Sequence, residues 1–102
     1  MIENIKLIGI SDDLINKMIN LLGYDIVLNM ACNYKLVRDN IAYLKNIGIT
    51  KIDLIVLNRE YILLLDNDKL INLFSNSKIE NLVGMINEDF TNIDLIYQEN
   101  NS

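Results

Sequence analysis

A motif of about forty residues recurs along this chain, and the recurrence limits the fold more than any other feature. Asn40 aligns with Asn81, Asn46 with Asn87 and Thr50 with Thr91. Ile52-Asp53-Leu54-Ile55 aligns with Ile93-Asp94-Leu95-Ile96 without a gap. A partial earlier copy starts at Asn4-Ile5, where Ile8-Gly9-Ile10-Ser11 matches Ile47-Gly48-Ile49-Thr50. The offsets are 39 residues from Gly9 to Gly48 and 41 from Asn40 to Asn81, inside the range of helical solenoids. Such a unit cannot bury its apolar face alone, so neighbouring units stack. The expectation is a single all-α domain over 1–97, a short solenoid-like repeat of two to three units. The units run roughly 4–39, 40–77 and 78–97, and a tail at 98–102 is expected to fray.

Local signals say what one unit contains. Ser11 stands where an N-cap belongs, followed by Asp12 and Asp13 at the positive end of a helix dipole. Leu14, Ile15, Met18, Ile19 and Leu22 then recur at helical spacing, and Gly23 supplies a left-handed stop. Tyr34, Val37, Ile41 and Leu44 line one face of a second helix that Gly48 ends. The spacing predicts threonine caps at Thr50 and Thr91, with Asp53 or Asp94 three residues on, and a capping box at Ser77-Lys78-Ile79-Glu80. Tyr24–Met30 and Tyr61–Phe74 connect the units as shorter helical segments.

A small α/β sandwich is the alternative. Ile5–Ile10, Asp25–Asn29, Ile52–Leu57, Tyr61–Leu65 and Ile93–Tyr97 are all rich enough in apolar residues to read as strands between helices. Periodicity alone does not separate short apolar runs. The repeat favours helices, because 51–57 aligns with 12–18, where the helical spacing is plain.

Composition then narrows the function. The chain has no proline, which permits long helices, and no histidine, the commonest general base and metal ligand. No cofactor or metal is expected, and catalysis is not. Cys32 is the single cysteine; without an imidazole to raise its thiolate fraction it reads as a small buried or half-buried apolar residue. One cysteine and no basic, apolar leader point to a reducing cytoplasm. No apolar run approaches the roughly 18 residues of a membrane span.

The remaining motifs read as structure. Asp66-Asn67-Asp68 opens like a calcium loop, but Leu70 and Ile71 occupy the fifth and sixth positions, where an oxygen ligand and a glycine belong. A helix start explains it better. Asp12-Asp13 and Glu88-Asp89 are sequence neighbours, which on a helix do not face one another and do not share a proton.

The formal net charge is −5, which disfavours general binding to phosphate backbones. Residues 35–59 differ: Lys35, Arg38, Lys45, Lys51 and Arg59 against Asp39 and Asp53 leave a local balance of +3. Lys35, Arg38 and Lys45 fall on one helix face, and Tyr43, off the main apolar face, is a candidate base-stacking residue. The expectation is a non-catalytic binding module whose partner is another protein, including a homodimer through the C-terminal unit around Phe90 and Tyr97. The alternative is nucleic-acid binding through the basic strip of residues 35–59, Lys35, Arg38, Lys45, Lys51 and Arg59.

Asn40-Ile41-Ala42-Tyr43-Leu44-Lys45-Asn46-Ile47-Gly48-Ile49, followed by Ile52, Ile55 and Tyr61-Ile62-Leu63-Leu64, resembles the repeat of mitochondrial transcription termination factors. There, a leucine, leucine-lysine, leucine-glycine, isoleucine phrase leads into a helix and a Pro-x-Leu-Leu turn. The resemblance spans two fuller units and a truncated third. The proline is absent here; Glu60 or Tyr61 stands near its place. The resemblance implies a curved helical superhelix with a basic concave face for nucleic acid.

Overall fold

Ser11 opens the first long helix. Its backbone is extended, and its Oγ accepts the Leu14 amide at 3.2 Å, satisfying one of the donors that a helix start leaves free. Helix α1 (Asp12–Leu22) buries Leu14, Ile15 and Met18. It stops at Gly23, whose φ of +87° suits glycine alone. Helices α2 (Tyr24–Cys32) and α3 (Tyr34–Asn46) follow. A Schellman turn closes α3: the Ile49 amide reaches Leu44 O at 3.0 Å and the Gly48 amide reaches Lys45 O at 3.1 Å, with Gly48 at φ +102°.

Four shorter helices complete the chain: α4 (Ile52–Asn58), α5 (Asn67–Ser75), α6 (Leu82–Glu88) and α7 (Leu95–Asn100). Short 3₁₀ segments occupy Ile2–Leu7, Glu60–Leu64 and Phe90–Asp94. In this computed structural model the backbone is described for residues 1–100 and the side chains for residues 1–97. The expected fraying of 98–102 concerns residues 101–102 and side chains outside that description.

The fold is all-α, with no strand among the described residues. The α/β sandwich is therefore set aside, because the apolar runs that read as strands are helical. Ile55 and Val56 are both fully buried, as are Ile62 and Leu63. Each pair lies in a helical turn that directs both side chains to the core, Ile55 and Val56 in α4 and Ile62 and Leu63 in the Glu60–Leu64 turn. Ile52–Leu57 lies in α4, Asp25–Asn29 in α2, and Ile93–Tyr97 runs from 3₁₀ turn into α7.

Three expected caps are replaced. Lys51, not Thr50, precedes α4, and the Thr50 amide donates instead to Asn87 Oδ1 at 2.8 Å. At the third copy Asp89 is the cap, accepting the Thr91 amide at 3.0 Å and the Thr91 hydroxyl at 2.7 Å. Ser77 Oγ accepts the Ile79 amide, but α6 starts only at Leu82, after Asn81 in the left-handed region at φ +55°. Gly84 makes room for that turn: a Cβ there would collide with the Asn81 side chain.

Helix α3 is central. It packs against the Ile2–Leu7 turn, α2, α4, the Glu60–Leu64 turn and α5, and buries Val37, Ile41 and Leu44. Helix α1 packs on α4, and α5 on α7. The radius of gyration is 13.4 Å, close to the roughly 13 Å of a globule of this length, and the buried side chains form one core.

Candidate functional site

One residue on the apolar stripe of α3 is polar. Asn40 is fully buried. Its Nδ2 donates to Leu63 O at 2.8 Å and Leu65 O at 2.7 Å, and its Oδ1 accepts from Asn67 Nδ2 at 2.9 Å. These bonds tie α3 to the segment entering α5. Sequence reasoning used Asn40 only as a repeat match. The available signal was an amide at i+3 from Val37 and i−4 from Leu44, inside the buried face.

Tying the two helices together at this end leaves a groove between them further along. Tyr43, half-buried, meets Phe74 of α5 edge-on, with ring centroids 6.0 Å apart and planes at 70°. The groove beside this pair holds about 270 Å³. Tyr43, Ile47, Phe74, Ile79, Leu82 and Val83 make it mainly apolar, with Ser75, Ser77 and Asn81 as polar rim. A second depression that also touches Tyr43 is lined by Asp39, Ala42 and Asn46 of α3 and Asn67 and Ile71 of α5.

Tyr43 does not share the helix face of Arg38 and Lys45. Helix α3 turns roughly 100° per residue, so Tyr43 stands roughly 140–160° around the axis from Arg38 and Lys45. Lys45 Nζ donates to Gly9 O at 2.8 Å, and Arg38 Nη2 lies 3.4 Å from Asp39 Oδ1. Lys35 is exposed near the start of α3, and Lys51 is half-buried at the start of α4. Arg59 is turned to the Phe90–Asp94 turn. Its Nε and Nη2 donate to both Asp94 oxygens, at 2.8 and 3.0 Å, and its guanidinium lies 5.6 Å from the Phe90 ring centre. That two-pronged bond raises the Arg59 pKa.

Other singled-out residues are placed as follows. Cys32 is exposed, not buried: α2 buries Val27, Met30 and Ala31, and the next position turns out of that stripe. Asp66 opens α5 without a side-chain cap bond. The hydrogen bonds from Thr91, side chain first, lower the Asp89 pKa. Phe90 and Tyr97 are half-buried, and burial, then Tyr61 and Asp94, raises the Tyr97 pKa. The most exposed large apolar side chains after Met1 are Leu21, Tyr24 and Leu7. No group of three or more Cys, Asp or Glu side chains converges among the described residues. No helix among them is long and apolar enough to cross a membrane.

The chain matches no known protein family, no curated protein and no solved structure.

Proposed function

We propose that the chain is a non-catalytic protein-binding module built of stacked helical units, and that the groove beside Tyr43 and Phe74 receives an apolar side chain of its partner. The groove carries this reading: a mainly apolar concavity with a few polar groups at its rim is the usual form of an anchor site. The net charge of −5, and the engagement of Lys45 and Arg59 within the molecule, favour a protein partner over phosphate backbones. A single exposed thiol suits a reducing compartment such as the cytoplasm.

Two recurring contacts support the stacking. Gly9 and Gly48 both turn the chain at positive φ. In each case the end of the next unit's first helical segment supplies a donor to the glycine carbonyl: Lys45 to Gly9 O at 2.8 Å, and Asn87 to Gly48 O at 2.9 Å. The aligned pairs Ile52/Ile93 and Ile55/Ile96 are all buried. On this reading the units stack in the manner of the termination-factor repeats that the 40–49 phrase resembles.

The test is capture of a partner by the full chain after nuclease digestion, compared with Val83→Glu, which puts a carboxylate in the groove, and Glu88→Lys, an exposed control on the same helix. Loss with the first variant and retention with the second is expected. Equal retention by all three would sink the groove. Retardation of RNA or DNA that falls steeply with salt and vanishes in an Arg38→Glu, Lys45→Glu variant would favour the nucleic-acid alternative.

A further inference from the structure

Leu82 and Val83 of α6 form one wall of the groove, and Tyr43 of α3 with Ile47, the residue that caps the end of α3, forms another. The width of the groove therefore depends on how α6 is held against the end of α3. Val83 reaches that end directly: a Cβ built on Gly48 would lie 3.5 Å from Val83 Cγ1. One turn further along α6, Asn87 Nδ2 donates to Gly48 O at 2.9 Å and Asn87 Oδ1 accepts the Thr50 amide at 2.8 Å.

This pairing copies the way one peptide unit bonds another. It saturates the turn between α3 and α4 from a side chain 37 to 39 residues away. Asn87 itself does not line the groove. Both bonds are solvent-exposed, so they open more readily than the buried contacts of the core.

We infer that Asn87 is the positioning residue of the groove: its two bonds to the Gly48–Thr50 turn set the distance between the α6 wall and the α3 wall. The inference rests on the groove being a binding site. The turn is built to need this residue. Gly48, at φ +102°, offers its carbonyl to Asn87 Nδ2, and Thr50, which does not cap α4, leaves its amide for Asn87 Oδ1. Aspartate at 87 would keep the acceptor for the Thr50 amide but set a carboxylate oxygen against the Gly48 carbonyl. Alanine would remove both bonds and leave the helix intact.

The experiment uses the full chain and a hydrophobic fluorescent probe, anilinonaphthalene sulfonate, titrated at neutral pH. Asn87→Ala is expected to weaken probe affinity about fivefold, and Asn87→Asp at least as much. Helical circular dichroism should be unchanged, and the nuclear Overhauser contact between the Val83 methyls and Gly48 should weaken. Asn58→Ala removes an exposed amide bond of similar length, to Leu54 O, away from α6, and should leave affinity unchanged. Equal losses in Asn58→Ala and Asn87→Ala would reduce the effect to general destabilisation and overturn the inference. Unchanged affinity in Asn87→Ala, with Val83→Glu still abolishing binding, would overturn it while leaving the groove standing. Unchanged affinity in Val83→Glu would overturn both.

Discussion

Replacing Asn40 with alanine isolates the polar network that spaces α3 from α5. The amide is fully buried and satisfies two carbonyls, Leu63 O and Leu65 O, while receiving a bond from Asn67. Alanine leaves the Leu63 carbonyl buried without that donor and the Leu65 carbonyl partly so. A buried acceptor stripped of its partner costs about 1–3 kcal/mol. The exposed side of Asn67 can turn to water, so it adds little. The expected loss is about 2–4 kcal/mol, a large share of the stability of a domain this size. Asn40→Asp should cost more. A carboxylate there faces two carbonyl oxygens, lacks a donor and sits out of water. Urea unfolding followed by helical circular dichroism measures both, with the slope against urea expected to stay constant. Asn67→Ala should cost less than Asn40→Ala, and the double variant less than the sum. A loss below about 1 kcal/mol for Asn40→Ala would mean that water reaches the two carbonyls, and the network would not be what sets the helix spacing.

Three further outcomes follow from the geometry. Gly48→Ala should cost about 1–2 kcal/mol in urea unfolding, because φ +102° strains any side chain, while its Cβ meets only an ordinary contact at Val83; Gly9→Ala, at φ +89° with open space around it, should cost a similar amount. A double-mutant cycle on Arg59→Ala and Asp94→Ala should give a coupling of about 0.5–1 kcal/mol that shrinks with added salt. Asp94 is 44% exposed, so solvent screening limits even this two-pronged bond; a coupling insensitive to salt would contradict the reasoning. Burial raises the Tyr97 pKa above its unfolded value of about 10, so its contribution is fully present below that pH and is lost as pH rises through the folded pKa. Alkaline unfolding curves should therefore be shallower for Tyr97→Phe than for the parent chain, and identical curves would show that Tyr97 is not responsible.

The two kinds of cap show where sequence reading succeeds and where it stops. Ser11, Gly23 and Gly48 act as their positions in the sequence suggest, because a cap or a glycine stop depends on residues within one helical turn. Thr50 and Thr91 satisfy the same local pattern and yet cap nothing. Their amides find better acceptors, in Asn87 across the fold and in Asp89 beside it. Asp94, expected to complete a capping box, is held by Arg59 instead. The basic residues show the same division: the spacing of Lys35, Arg38 and Lys45 is legible along the chain, whereas Lys45 and Arg59 are turned to Gly9 and Asp94 by packing that no local pattern records.

Apolar stripes at helical spacing, the forty-residue recurrence, the absence of proline and the glycines that end α1 and α3 pointed to a helical chain over an α/β sandwich and marked several of its breaks. Those signals act over three or four residues, the reach of a helical hydrogen bond, and so survive in any one-dimensional reading. The partners of Asn40, Asn87 and Arg59 lie 23 to 39 residues away. Only packing of the apolar stripes brings those groups within bonding distance. The groove between α3, α5 and α6 is a product of that packing, since each helix contributes only one wall.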